Sequence, residues 1–85
     1  MSTETIVTLR RLLADLERQL SGRRKMIALY DQQLGGSLLS SERLDLETRR
    51  EREIKFIEPT EATIAGLRAE IARLEKSIAK GVGHE

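Results

Sequence analysis

The sequence predicts an all-α fold, a long antiparallel helical hairpin of coiled-coil type, and three observations carry that prediction. An apolar stripe at alternating three- and four-residue steps runs through Ile6, Leu9, Leu13, Leu16, Leu20, Ile27, Tyr30 and Leu34, with Arg23 as its one non-apolar member. This is the spacing of a helix packed along a single seam. A second stripe runs through Ile57, Ile64, Leu67, Ile71, Leu74 and Ile78, with Thr60 as its polar position. Between the stripes Gly35, Gly36 and Ser37 leave room for the chain to reverse. No alternating apolar run bounded by turn residues occurs, so strand content is expected to be near zero.

The first helix is expected over about residues 3–34. Ser2 or Thr3 can accept a hydrogen bond from the free N–H groups of the first turn, and Glu4 lies at the positive end of the helix dipole. A helix of that length spans roughly 48 Å, which belongs to a bundle or coiled coil rather than a compact globule. Gly22 inside it costs about 1 kcal/mol against alanine without ending it. Gly35 in a left-handed conformation would cap the helix, and the reversal is expected within residues 35–41, with Leu38 and Leu39 folded over the end of the seam.

Ser40 or Ser41 would cap the second helix, with Glu42 in its first turn, and the helix is expected over about 41–80. From Ser41 to Lys55 the heptad pattern lapses, since only Leu44, Leu46 and Ile54 are apolar. The pairs Asp45 with Arg49, Glu51 with Lys55, Arg43 with Glu47 and Arg49 with Glu53 suit a solvated helix there. Pro59 cannot donate to the carbonyl of Lys55, so the helix is expected to kink near 59, or to stop and restart with Pro59 in its first turn. Lys76 and Lys80 complement the dipole, Gly81 ends the helix, and residues 81–85 form a frayed tail.

Eighty-five residues make one domain, residues 1–85, and two helices bury one seam rather than a deep core. Fifteen Lys and Arg against fourteen Asp and Glu give a charge of +1, which sets up no strong field toward nucleic acid or an anionic membrane. There is no cysteine, hence no disulfide or thiolate metal site, which suits a reducing compartment. Residues 1–20 interleave charges with apolar positions and show no secretory h-region or membrane span, so the expected location is the cytoplasm. Tyr30 and Phe56 are the only aromatic residues, too few for stacking on bases or sugars. His84, the only histidine, sits in a glycine-flanked tail with no carboxylate at metal-ligand spacing. The Gly35-Gly36-Ser37 segment lacks the lysine and the preceding strand of a phosphate loop. No enzymatic activity, cofactor or metal is expected.

With the turn near residue 38, antiparallel pairing sets Leu20 beside Ile57, Leu16 near Thr60, Leu13 near Ile64 and Leu9 near Leu67. Arg23 then falls opposite Glu53. A charge in a seam is costly unless it is paired, or unless the guanidinium snorkels past the seam into water. Ile64, Ile71 and Ile78 alternating with Leu67 and Leu74 also suit a parallel two-stranded coiled coil between copies, so self-association into a helical bundle is expected. The expected partner or oligomer interface is a broadened apolar stripe: Leu20, Met26, Ile27, Ile54, Phe56 and Ile57.

These features predict a non-enzymatic protein-interaction module, an adaptor, assembly component or inhibitor of a kind found among small bacterial and phage proteins, with a protein partner and a second copy as its expected company. The alternative is a nucleic-acid or transcription-complex binder using the cations near the tip. Arg24, Lys25, Arg49, Arg50 and Arg52 form its candidate anion-binding patch beside Arg23, although Glu47, Glu51 and Glu53 lie among them and favour a solvated ion-pair face.

The layout of a long charged hairpin with a short tip, together with Phe56-Ile57-Glu58, resembles the N-terminal coiled coil of the bacterial Gre transcript-cleavage factors. That resemblance implies a hairpin working within a transcription complex. The tip here reads Gly-Gly-Ser-Leu-Leu-Ser-Ser-Glu over residues 35–42, with Glu42 as its only carboxylate, so it departs from the acidic metal-holding tip of that family and no site residue carries over.

Overall fold

The computed structural model describes residues 3–83, with side chains through Lys80. Helix α1 spans Thr3–Leu34 and α2 spans Ser40–Gly83; among the described residues there is no strand. The two helices lie side by side as a rod 70 Å long and 15 by 14 Å across. The hairpin is therefore the fold. The Ser2 part of the expected cap and the tail residues His84 and Glu85 lie outside the described residues.

The apolar stripe of α1 is the strip that faces α2. Ile6 and Leu20 are buried, and Leu9, Leu13, Leu16, Arg23, Ile27, Tyr30 and Leu34 are half-buried, while the residues between them are exposed. On α2 the facing strip is Leu46, Arg50, Glu53, Ile57, Thr60, Ile64, Leu67, Ile71, Leu74 and Ile78, which together with Glu70 beside it are the positions of reduced exposure. The heptad period thus continues through residues 41–55, where the apolar pattern suggested a fully solvated helix. Arg50 and Glu53 hold seam positions there with polar side chains, which a search for apolar periodicity passes over.

Ile6, Ile71 and Leu74 form the core cluster, with Leu9, Leu13 and Ile78 packed against it. Three ion pairs at seven-residue intervals, Arg10 with Glu75, Glu17 with Arg68 and Arg24 with Glu61, run along one side of the seam. Together these contacts set Ile6 beside Leu74, Leu9 beside Ile71, Leu13 beside Leu67, Leu16 beside Ile64 and Leu20 beside Thr60. Toward the turn follow Arg23 with Ile57, Ile27 with Glu53, Tyr30 with Arg50 and Leu34 with Leu46. This register lies one helical turn from the pairing expected for a tight reversal near residue 38. The cause is the connection: residues 35–39 run on past Leu34 before α2 begins, and five extended residues can span roughly 17 Å. The first turn of α2 therefore overhangs the end of α1.

The turn differs from expectation in three ways. No described glycine has a positive φ, so Gly35 does not cap in a left-handed conformation. Instead α1 ends by tightening: the Gly35 N–H donates to the Asp31 carbonyl (3.1 Å) and the Gln32 carbonyl (3.3 Å), and the Gly36 N–H donates to the Gln33 carbonyl (3.1 Å). Leu38 is half-buried beside Leu46, but Leu39 is 69% exposed and does not fold over the seam. The Arg43 N–H donates to the Leu39 carbonyl at 2.9 Å, which makes Ser40 the first helical residue rather than the cap.

Pro59 lies inside α2, which continues on both sides of it without a restart. Its ring is on the exposed side of the helix, so the Lys55 carbonyl it leaves unbonded faces water, which meets part of the usual cost. The hydroxyl of Thr63 donates to the Pro59 carbonyl at 3.0 Å. At the other end α2 carries on past Gly81 to Gly83.

The buried residues Ile6, Leu20, Ile64, Ile71 and Leu74 lie between the middle of the rod, at Leu20, and the end away from the turn. A Leu74→Ala change at this 2%-exposed position is expected to destabilise by about 2–5 kcal/mol. Leu39→Ala should stay within about 0.5 kcal/mol. Urea unfolding of the two variants, followed by circular dichroism, checks both values.

Candidate functional site

Any elongated hairpin presents two long flanks, one on each side of the seam, and here they differ in chemistry. One flank carries Arg10, Glu17, Arg24 and Asp31 on α1, and Glu47, Ile54, Glu61, Arg68 and Glu75 on α2. Its charges pair across the helices: Arg10 with Glu75 at 2.7 Å, Arg68 with Glu17 at 3.1 Å, and Arg24 with Glu61 at 3.2 Å. Arg50 leaves the seam toward the same side to bond Asp31. A shallow groove of about 540 Å³ lies along it, floored by Leu20, Ser21, Ala28, Ile64 and Ala65 and walled by the pairs Glu17 with Arg68 and Arg24 with Glu61.

The other flank carries Thr5, Leu12, Gln19, Met26 and Gln33 on α1, and Arg49, Phe56, Thr63, Glu70 and Ser77 on α2, nearly all uncharged. Leu12 is 46%, Met26 38% and Phe56 48% exposed, and Leu29 at 43% lies one turn farther out on the same side. Gly22 and Gly66 also face outward here, with nothing within 4 Å of where a Cβ would stand. Side-chain bulk along this flank is consequently uneven, with Leu12, Met26 and Phe56 standing above glycine and threonine.

Arg23 joins the seam to this neutral flank. Its guanidinium donates to the Glu53 carboxylate at 3.0 Å and lies over the Phe56 ring, 4.2 Å from the ring centre. The expected seam pair is thus present, as a diagonal between neighbouring layers. Both side chains are partly shielded, with 31% and 23% exposed. Phe56 is held by a cation–π contact on one side and open to solvent on the other.

The six residues expected to form one apolar stripe are distributed over three places. Leu20, Ile27 and Ile57 are seam residues spent on holding the hairpin together. Met26 and Phe56 stand on the neutral flank, and Ile54 lies on the charged flank, because residues two apart point to nearly opposite sides of a helix. In the candidate anion patch, Arg24 bonds Glu61, Arg49 bonds Asp45 at 3.1 Å and Arg50 bonds Asp31; Lys25 and Arg52 have no ion pair among the described residues. Most of that charge is therefore neutralised locally. The Glu70 carboxyl is held below its ordinary range by a hydrogen bond from Arg73, which outweighs a smaller opposing effect of desolvation.

Sequence reasoning on apolar residues missed the flank asymmetry. The signal was present as charges of alternating sign at seven-residue steps, Arg10, Glu17 and Arg24 on α1 against Glu75, Arg68 and Glu61 on α2. No described helix is long and apolar enough to cross a membrane. Comparison with protein-family profiles, with characterised proteins and with solved structures finds no match. The Gre-like resemblance accordingly rests on hairpin layout and one tripeptide.

Removing one partner of the Arg23 and Glu53 pair leaves a partly shielded charge alone in the seam. Glu53→Ala is expected to cost about 1–3 kcal/mol, between the values for exposed and buried pairs. The double change Arg23→Leu with Glu53→Leu should recover most of that loss. A double-mutant cycle by urea unfolding measures the coupling.

Proposed function

We propose that this chain is a non-enzymatic protein-interaction module whose working surface is the neutral flank around Met26 and Phe56. The observation that supports the reading most is the contrast between the two flanks. One is closed by cross-helix ion pairs, while the other leaves Leu12, Met26, Leu29 and Phe56 in solvent beside ion pairs made only within each helix, Asp15 with Arg18, Asp45 with Arg49 and Glu70 with Arg73. A rod one seam thick has no interior in which to bury those residues, so a second protein is the available apolar environment. Phe56 is the natural anchor, being large, rigid, held from behind by Arg23 and placed near the middle of the rod. The charged residues toward the turn, Arg43 to Arg52, form the polar end of the surface.

Nucleic-acid binding through the tip cations receives less support, since Arg24, Arg49 and Arg50 are already paired with carboxylates. The two readings separate by salt. Contacts through Met26 and Phe56 survive raised ionic strength, whereas phosphate contacts weaken steeply with it.

The test is affinity capture from the source organism with the wild-type chain and with Met26→Glu/Phe56→Glu. A discrete protein retained at raised salt by the wild type and lost by the variant is the expected result. Equal capture by both chains, or capture that salt abolishes, contradicts the proposal.

A further inference from the structure

We infer that the neutral flank is self-complementary and that its occupant is a second copy of this chain, packed with its turn at the opposite end. The inference rests on the reading of that flank as the contact surface and adds the partner's identity and direction. Arg49 and Glu70 are the only charged residues among the inner positions of this flank; they lie ten and eleven residues from Pro59 along α2, and each has a partner on its own helix, Asp45 and Arg73, that it would share with the second copy. A two-fold axis crossing the rod beside Pro59 therefore brings Arg49 of each copy to Glu70 of the other.

The same axis lays α1 antiparallel on α1 and sets Leu12 opposite Leu29. On α2 it sets Phe56 opposite Thr63. Leucine thus meets leucine and phenylalanine meets threonine, the inner charges meet opposite charges, and Met26 comes to the level of Asp15, whose carboxylate is bonded by Arg18. Gly22 and Gly66, with open space where side chains would be, allow the helices to approach closely. With the turns at the same end, by contrast, Arg49 and Arg52 of both copies would gather together.

The axis also passes close to the middle of the rod, so nearly the whole length overlaps. A face 70 Å by 15 Å offers on the order of 1,000 Å² per copy, against roughly 800 Å² per partner in a stable interface. The product is a four-helix bundle in which each neutral flank becomes interior.

Sedimentation equilibrium of the full chain, combined with single-cysteine variants of this cysteine-free sequence, tests it. The wild type is expected to sediment as a dimer. Pro59→Cys is expected to form a covalent dimer on mild oxidation, and Ser37→Cys in the turn is not. Arg49→Glu should weaken the dimer about tenfold or more, and adding Glu70→Arg should restore it. Cross-linking through Ser37→Cys without Pro59→Cys, or failure of the second charge reversal to restore the dimer, overturns the inference. A wild-type monomer at every concentration overturns it too. If Met26→Glu/Phe56→Glu nevertheless abolishes partner capture, the interaction-module reading survives that loss; if it changes neither property, both fall.

Discussion

Two helices in contact share one strip of surface, and in this chain the contents of that strip decide stability, register and what is left to bind. Each layer holds one residue from α1 and one from α2. From Ile6 with Leu74 to Leu16 with Ile64 the layers are apolar on both sides. From Leu20 with Thr60 to Tyr30 with Arg50, each layer sets an apolar residue against a polar or charged one. Among the described residues the buried side chains accordingly lie in the apolar half, except Leu20, which heads the first mixed layer. The dry half supplies most of the transfer free energy, and the wet half supplies specificity through Arg23 with Glu53 and Arg50 with Asp31.

The charged flank specifies register. Because Arg10, Glu17 and Arg24 alternate in sign against Glu75, Arg68 and Glu61, sliding one helix by a heptad would set Arg10 against Arg68, or Glu17 against Glu75. The apolar seam alone would tolerate that slide, since it places leucine and isoleucine against leucine and isoleucine again. Each exposed pair contributes only about 0.2–1 kcal/mol, but slippage either way loses all three and sets like charges together in two places. The weak pairs thus discriminate between registers more effectively than they stabilise the fold.

Much of this architecture was legible in the sequence, and the failures share a cause. The helical period, the reversal after Leu34 and the meeting of Arg23 with Glu53 all follow from spacing, which survives without side-chain detail. The register error of one turn came from treating residues 35–39 as a compact bend, whereas the chain overshoots Leu34. Residues 41–55 carry the pattern of a solvated helix because Arg50 and Glu53 replace aliphatic residues at seam positions. Pro59 stays within α2 because it falls on the exposed face, a fact that depends on the register itself. The candidate site was only half legible: Met26 and Phe56 share a flank, but Ile54 does not, and Leu12 and Leu29 become relevant only once the flank is identified.

The register is the claim on which the flank assignments depend, and methyl NOEs test it most directly. With isoleucine and leucine methyls labelled, Ile6 is expected to show cross-peaks to Leu74 and Ile78. Cross-peaks from Ile6 to Leu67 in their place would contradict the account, because they would mean a different register and a different pair of flanks.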